Sequence, residues 1–297
     1  LGIVAATIIG FLVGIARLSP NWLLARLAAA FVETFRNIPL LVQILFWYFA
    51  VLQALPSPRQ SLSLLEAFFL NVRGLIVPAP VPEPGFGLTQ LALVVAILAV
   101  VALGIYARRL QQRTGKALPV YWLGSALIIG LPLLVFVASG SPLAWDGPSL
   151  KGFNFSGGIT VIPELMALWL ALSIYTASFI AEIVRSGIQS VPKGQIEASR
   201  AIGLPGNITL RKVVIPQAMR VIVPQLTSQY LNLIKNSSLA TAIGYPDLVA
   251  VFAGTSLNQT GQAIEIIAMT MAVYLTISLV VSALMNVYNA RTLLKER

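Results

Sequence analysis

Seven apolar runs, separated by short polar or proline-rich connections, dominate this sequence of 297 residues. A helix needs about 20 apolar residues to cross the hydrocarbon core of a bilayer. The chain is 57% hydrophobic and 10% charged, with a mean hydropathy of +0.85. Soluble domains carry about a quarter charged residues. We therefore predict an all-α, polytopic helical membrane protein.

The apolar runs predict seven spans, at residues 1–16, 40–55, 88–107, 118–138, 161–183, 221–242 and 263–287. In the first run, Gly10 and Gly14 stand four residues apart, a spacing typical of closely packed membrane helices. An amphipathic stretch is expected at 22–32, and an interfacial helix at 62–70. Because the chain begins at Leu1 inside an apolar run and without Met, we expect an N-terminal portion to precede it.

Basic residues stand at the ends of the apolar runs and produce a formal net charge of +10. This distribution indicates bilayer topology rather than nucleic-acid binding, because Lys and Arg concentrate on the cytoplasmic side of membrane proteins. If the first span runs inward, 16 of the 20 basic residues are cytoplasmic, namely Arg17, Arg26, Arg36, Arg108, Arg109, Arg113, Lys116, Arg185, Lys193, Arg200, Arg211, Lys212, Arg220, Arg291, Lys295 and Arg297. We therefore expect a multi-pass protein with a cytoplasmic C-terminus.

Motifs for chemistry are scarce. The sequence has no cysteine and no histidine, and its ten carboxylates form no close pair, so we assign no catalytic and no metal-binding residue. The segment GLPGNITLRK at 203–212 lacks the spacing of a phosphate-binding loop. If the protein transports a solute, its energy source is therefore expected on a separate subunit. The alternative is an ion-coupled secondary transporter, although the carboxylates lie near span ends.

One charged stretch, SVPKGQIEASRAIGLPGNITLRKVVIP at 190–216, separates the fifth and sixth spans. Its prolines and glycines predict two short helices joined by a tight turn. The first helix is expected from about Pro192 to Ile202, with Gly203 as a left-handed cap. The second is expected to begin with Asn207 as N-cap and to run toward Ile215.

This stretch resembles the signature loop of permease subunits of ATP-binding-cassette (ABC) importers. That loop reads Glu-Ala-Ala, three residues, Gly, nine residues, Ile-x-Leu-Pro. Here EAS at 197–199, Gly203 and VVIP at 213–216 keep the same spacing. The resemblance implies a type I importer fold and a cytoplasmic coupling loop, 190–216, that docks on a separate ATPase dimer. The implied coupling residues are Pro192, Lys193, Gly194, Glu197, Ala198, Ser199, Gly203 and Pro216. Without this spacing, an ordinary basic loop is the simpler interpretation.

The resemblance extends to the polar amino acid permeases in three further segments. These are VETFRNIPLL at 32–41, FIAEIVRSGIQSVPKGQI at 179–196 and LIKNSSL at 233–239. Residues 56–138 look like an insertion, an extracytoplasmic connection plus two extra helices, in a single permease domain of five core helices, 1–297. This arrangement is similar to one permease of the general L-amino acid uptake systems.

This wider resemblance implies a bacterial inner-membrane importer of polar L-amino acids. The implied partners are the ATPase dimer, a second and different permease, and an extracytoplasmic amino acid-binding protein. ATP and Mg are expected on the ATPase, and no cofactor is expected in this chain.

Three polar features each admit two interpretations. Lys235, in the outer half of the sixth span, either contacts an amino acid's carboxylate or snorkels to the outer interface. The substrate-pathway candidates are accordingly Asn232, Lys235, Asn236, Ser237 and Ser238. Glu33 and Arg36 form either a surface ion pair, which we prefer, or part of a cytoplasmic gate. The connections 56–87 and 139–160 are either inert or a docking surface for the binding protein.

Overall fold

The structure, a computed structural model, describes the backbone of residues 1–115 and 118–292, with side chains up to residue 289. Lys116, Lys295 and Arg297, three of the basic residues predicted to be cytoplasmic, lie outside the described residues. The side chain of Arg291 lies outside them as well. The predicted cytoplasmic C-terminus therefore rests on the sequence.

Helices form most of the described chain. In chain order the α-helices are α1 (Gly2–Ala16), α2 (Trp22–Asn37), α3 (Leu40–Leu45), α4 (Phe86–Thr114), α5 (Val120–Ala138), α6 (Pro163–Gln189), α7 (Lys193–Ala201), α8 (Gly206–Thr209), α9 (Ile215–Asn236), α10 (Leu257–Thr260) and α11 (Ala263–Thr292). π-Helical segments occur at Phe46–Leu52, Leu210–Val214 and Ala250–Ser256. A 3₁₀ helix, Ser237–Ile243, follows α9.

Four of these helices, α4, α5, α6 and α11, are long and apolar enough to cross a membrane. A fifth span arises if α2 and the helix Leu40–Leu52, which meet at 105°, are counted as one broken span. The bend is held by Gln43, whose side-chain amide donates to the carbonyl oxygens of Phe35 and Ile38, both at 2.9 Å. The described residues thus form a helical membrane protein with four to five apolar spans, against the seven predicted.

Short β-strands correct the all-α prediction. Among the described residues they are β1 (Leu62–Leu64), β2 (Phe68–Asn71), β3 (Gly74–Val77), β4 (Ala79–Pro82), β5 (Leu143–Asp146), β6 (Ser149–Lys151), β7 (Asn154–Ser156) and β8 (Ile159–Val161). They form a four-stranded sheet in the order β1-β2-β3-β8 and two ribbons, β4-β5 and β6-β7. The interfacial helix predicted at 62–70 is therefore wrong, because β1 and β2 pair antiparallel across a turn at Leu65 and Glu66, both with positive φ.

The chain divides into two compact units. The first contains residues 1–57, 71–74 and the chain from Val161 onward, and the second contains 58–70 and 75–160. The core of the first unit lies where α6 packs against α1 and α9, around buried residues such as Ile180 and Ile222. The second unit contains the α4–α5 hairpin and the two ribbons.

Glycines set the close approach of α1 to α6. A Cβ atom added at Gly10 would lie 2.6 Å from the Ile180 side chain, and one at Gly14 would lie 2.7 Å from the Ala181 carbonyl oxygen. Contacts this short leave no room for a side chain, so the predicted packing face of the first span is confirmed. Gly187 on α6 allows the same closeness to α9.

Candidate functional site

The charged stretch between α6 and α9 forms the short helix α7. Pro192 is its N-cap residue, and Gly203, with a φ of +81°, lies just beyond its end. The Leu204 amide donates to the Ser199 carbonyl oxygen at 3.1 Å and so closes the last turn. A left-handed glycine with this hydrogen bond is a common helix ending. The predicted first helix of the stretch is therefore confirmed.

Most of the coupling candidates are exposed, namely Pro192, Lys193, Gly194, Glu197, Ala198, Gly203 and Pro216. Ser199 is buried instead. Its hydroxyl donates to the Ile196 carbonyl oxygen at 2.7 Å and hydrogen-bonds the Thr209 hydroxyl, which is also buried, at 3.1 Å. The inner face of α7 is thus tied to α8, while its outer face is accessible to another protein.

The second helix of the stretch differs from the prediction. Asn207 is not the N-cap residue, because α8 begins at Gly206, directly after Pro205. The helix does not stop near Ile215 either, since helical torsions continue through Leu210–Val214 into α9. A proline normally ends a helix because it lacks an N–H group. Here Pro216 is the second residue of α9, which follows the π-helical segment Leu210–Val214, a local change of hydrogen-bond register that helices tolerate.

A cluster of four charged residues, the Glu182 cluster, joins the C-terminal end of α1 to α2 and α6. Arg17 and Arg185 each form a close hydrogen-bonded ion pair with Glu182, and Arg36 Nη1 lies 3.8 Å from the same carboxylate. Arg36 also lies over the Phe179 ring, 5.4 Å from its centre. The predicted pairing of Glu33 with Arg36 is therefore wrong. Glu33 lies 3.9 Å from Arg17 instead, and its side chain is 62% exposed.

The substrate-pathway candidates lie at the end of α9. An open pocket of about 490 Å³ brings Lys235 and Ser238 together with residues of α11. Asn232, Asn236 and Ser237 do not line this pocket. The Ser237 and Ser238 hydroxyls donate to carbonyl oxygens of the preceding turn, at 2.7 Å and 2.8 Å, so only their lone pairs remain for a ligand.

Sequence reasoning missed the polar residues that α11 contributes to the pocket. Thr270, Tyr274 and Ser278 line it together with Lys235. Their spacing of four residues places all three on one face of the helix. This periodic polar stripe within an otherwise apolar span was the signal available in the sequence. The nearby Asp247 carboxylate accepts hydrogen bonds from Thr241 and from the Ala250 amide.

These features define a class of protein. The chain is a helical membrane protein in which a short exposed helix, α7, stands between two core helices, α6 and α9. The chain belongs to the family described as binding-protein-dependent transport system inner membrane component, which residues 112–294 match. It is the permease subunit of an ABC importer, a transport component, and a separate subunit hydrolyses ATP. The predicted resemblance is confirmed.

Two curated relatives match along nearly the whole chain. The putative amino-acid ABC transporter permease protein YhdX of Escherichia coli is 58% identical over 99% of this chain and 75% of its own length. The general L-amino acid transport system permease protein AapQ of Rhizobium johnstonii is 56% identical over 100% of this chain and 74% of its own length.

Solved structures share the fold. A chain of an amino acid ABC transporter crystallised with histidines superposes with a TM-score of 0.56 at 19% identity, over 98% of this chain and 86% of that one. An inward-facing MetNI methionine ABC transporter superposes with a TM-score of 0.51 at 16% identity, over 99% and 90%. At such low identity the likeness shows the fold alone.

Proposed function

We propose that this chain is the permease subunit of an importer of polar L-amino acids and moves its substrate by alternating access. One observation carries the choice of substrate class. Two relatives named for amino acid transport are 58% and 56% identical to this chain from end to end. Neither the relatives nor the solved structures described above favour the ion-coupled alternative.

The coupling mechanism follows from the position of α7. An ATPase dimer binds the exposed face of α7, which carries Lys193, Glu197 and Ala198, and the Glu197 carboxylate provides a charged contact. Closure of the ATPases displaces α7, and the Ser199–Thr209 hydrogen bond passes this displacement to α8. Because α8 continues through the π-helical segment into α9, the motion reaches the end of α9, where the pocket lies. Alternating access then results from a bias between two conformations.

The topology that fits this mechanism has seven spans. These are the four long apolar helices together with α1, the helix Leu40–Leu52 and α9. With the orientation that the basic residues indicate, α7 and the C-terminus are then cytoplasmic, in a bacterial inner-membrane protein. Residues 56–138 are an insertion into a five-helix core. A second, different permease completes the membrane part, and an extracytoplasmic amino acid-binding protein docks on the connections 56–87 and 139–160.

The pocket beside Lys235 is the substrate path through this subunit. A positive charge near the end of a membrane helix favours the carboxylate of an amino acid, and the α11 hydroxyls offer hydrogen bonds. A volume of about 490 Å³ falls in the usual range of small-molecule pockets, 300 to about 1,000 Å³.

Two variants in the coupling loop, 190–216, test the mechanism. Glu197→Arg reverses the charge at the ATPase contact, and Gly203→Val places a β-branched residue at a φ of +81°, which such residues rarely adopt. Both variants are expected to insert into the membrane and to lose ATP-driven uptake of radiolabelled amino acids. Gly130→Val, at a glycine with no neighbouring atom within 4 Å, is the control and is expected to keep uptake. Normal uptake in both variants would remove α7 from the mechanism.

Lys235 is tested separately. Lys235→Met keeps the length of the side chain and removes its charge, so uptake is expected to fall and the preference among amino acids to change, while Lys235→Arg retains part of the activity. Competition by unlabelled amino acids measures the preference. An unchanged rate and preference in Lys235→Met would show that Lys235 only snorkels to the interface.

A further inference from the structure

The α4–α5 hairpin has an unusual distribution of charge. No Asp or Glu stands between Glu83 and Asp146, so the hairpin contains no carboxylate. Its two helices pack on each other. In the most apolar 18-residue stretch of each helix, however, only 11% of the residues of α4 and 6% of those of α5 are buried. Both helices are apolar enough to cross a membrane, so this exposed surface is suited to contact lipid.

Three arginines lie at the connecting end of the hairpin. Arg108, Arg109 and Arg113 are exposed, and none of them has an ion pair within residues 1–115 and 118–292. Tyr121 and Trp122, in the first turn of α5, lie at the same end and are 82% and 73% exposed. Aromatic side chains prefer the boundary between membrane and water. The arginines therefore stand at the level of the lipid headgroups.

An exposed apolar stripe on α4 leads to these arginines. Leu98, Val101 and Ile105 are each more than half exposed, and Arg108 continues their spacing of three and four residues along one helix face. At 1.5 Å per residue, the distance from Leu98 to Arg108 is about 15 Å. This is about half of the roughly 30 Å hydrocarbon core, the depth of one leaflet.

We propose that this end of the hairpin binds an anionic phospholipid. The acyl chain lies along Leu98, Val101 and Ile105, and the guanidinium groups of Arg108, Arg109 and Arg113 bind the headgroup phosphate. Guanidinium groups suit this ligand because their planar donors match phosphate oxygens in pairs. The positive-inside rule explains why basic residues occur at one end, and it predicts no preference between lipids. The two accounts therefore differ in what they predict for lipid retention.

Lipid retention by the assembled transporter is the test. The complex containing the full chain is reconstituted in nanodiscs of phosphatidylcholine mixed with phosphatidylglycerol, and the lipids that remain bound are counted by native mass spectrometry. Each basic residue near an anionic surface adds about fivefold to affinity. The triple variant Arg108→Gln/Arg109→Gln/Arg113→Gln is thus expected to lower the preference for phosphatidylglycerol at least about tenfold. An equal preference in wild type and variant would overturn the proposal.

Two further measurements test the proposal even if the triple glutamine variant fails to insert into the membrane. Lysines at the same three positions keep the charge, and the preference for phosphatidylglycerol is expected to stay within about threefold of wild type, because point charges still attract phosphate. A photoreactive side chain at Ile105 in the otherwise unchanged complex is expected to give lipid adducts. Cross-links from this position only to protein would show that another subunit covers the hairpin and would also overturn the proposal.

Discussion

Glu182 holds three segments of the chain together at one end of α6. It pairs with Arg17, directly after α1, and with Arg185 of its own helix, and Arg36 of α2 lies 3.8 Å away. The Glu182 side chain is 26% exposed and that of Arg17 is 14% exposed, so water screens the ion pairs only in part. Hydrogen bonds to charged groups contribute more than neutral ones under such conditions.

Replacing this carboxylate is expected to destabilise the protein. Glu182→Gln leaves three guanidinium groups facing one another without a counter-charge, a loss of about 1–3 kcal/mol after allowance for partial exposure. The apparent melting temperature of the detergent-solubilised protein, followed by size-exclusion chromatography, is expected to fall by several degrees. Glu33→Gln is the matched control. Its side chain is 62% exposed and 3.9 Å from Arg17, so a change near zero is expected. Equal effects of the two variants would contradict the role given to Glu182.

The Glu182 cluster also marks where sequence reasoning fails at the residue scale. Glu33 and Arg36 stand three residues apart on one helix, which suggests a local pair. The actual partner of Arg36 comes from α6, and Arg17 and Glu182 are separated by 165 positions. Local spacing carries no information about such contacts. Which carboxylate an arginine pairs with depends on how the helices pack, and the sequence alone does not give that packing.

At the scale of elements, the glycines of α1 decide how α6 is held. α1 lies so close to α6 that added Cβ atoms at Gly10 and Gly14 would overlap its side chains and backbone. α6 in turn carries Glu182 and leads into α7. The position of α7 therefore depends on the face of α1 that packs on α6, which is formed by small residues.

A larger residue at this face is expected to separate the helices. In Gly14→Val the new Cβ would lie 2.7 Å from the Ala181 backbone oxygen, which cannot move without α6. Overpacking of this kind costs about 1–3 kcal/mol or more. Thermal stability in detergent and ATP-driven uptake are both expected to fall. Gly104→Val is the control, because nothing lies within 4 Å of the added Cβ. Wild-type stability in Gly14→Val would show that α1 does not pack as described.

Elements with local signals were predictable, and those that depend on distant pairing were not. The limits of α7 follow from Pro192 and Gly203, whose torsional preferences act on their own neighbours. The strand Leu143–Asp146 was missed because its partner, β4, lies two helices earlier in the chain. The local pair of β1 and β2 was missed because each strand has only three or four residues. Pro216 misled the prediction because helical torsions continue through the π-helical segment before it, which the local sequence does not indicate.

At the scale of the whole molecule, the family match extends over parts of both compact units. The match over residues 112–294 includes α5 of the second unit as well as α6 to α11 of the first, and therefore α7 and the pocket beside Lys235. The α4–α5 hairpin and its ribbons form a separate unit whose surface suits lipid. α7 and the pocket beside Lys235, on which the proposed function rests, both lie in the first unit.

Reconstituted uptake tests the central claim most directly. Proteoliposomes holding this chain alone are compared with proteoliposomes that also hold its ATPase and the proposed second permease. A radiolabelled polar amino acid and the binding protein are supplied to both. Uptake is predicted only for the complete assembly with ATP, and it is predicted to disappear in Glu197→Arg. Uptake by the chain alone, driven by an ion gradient without ATP, would contradict the account.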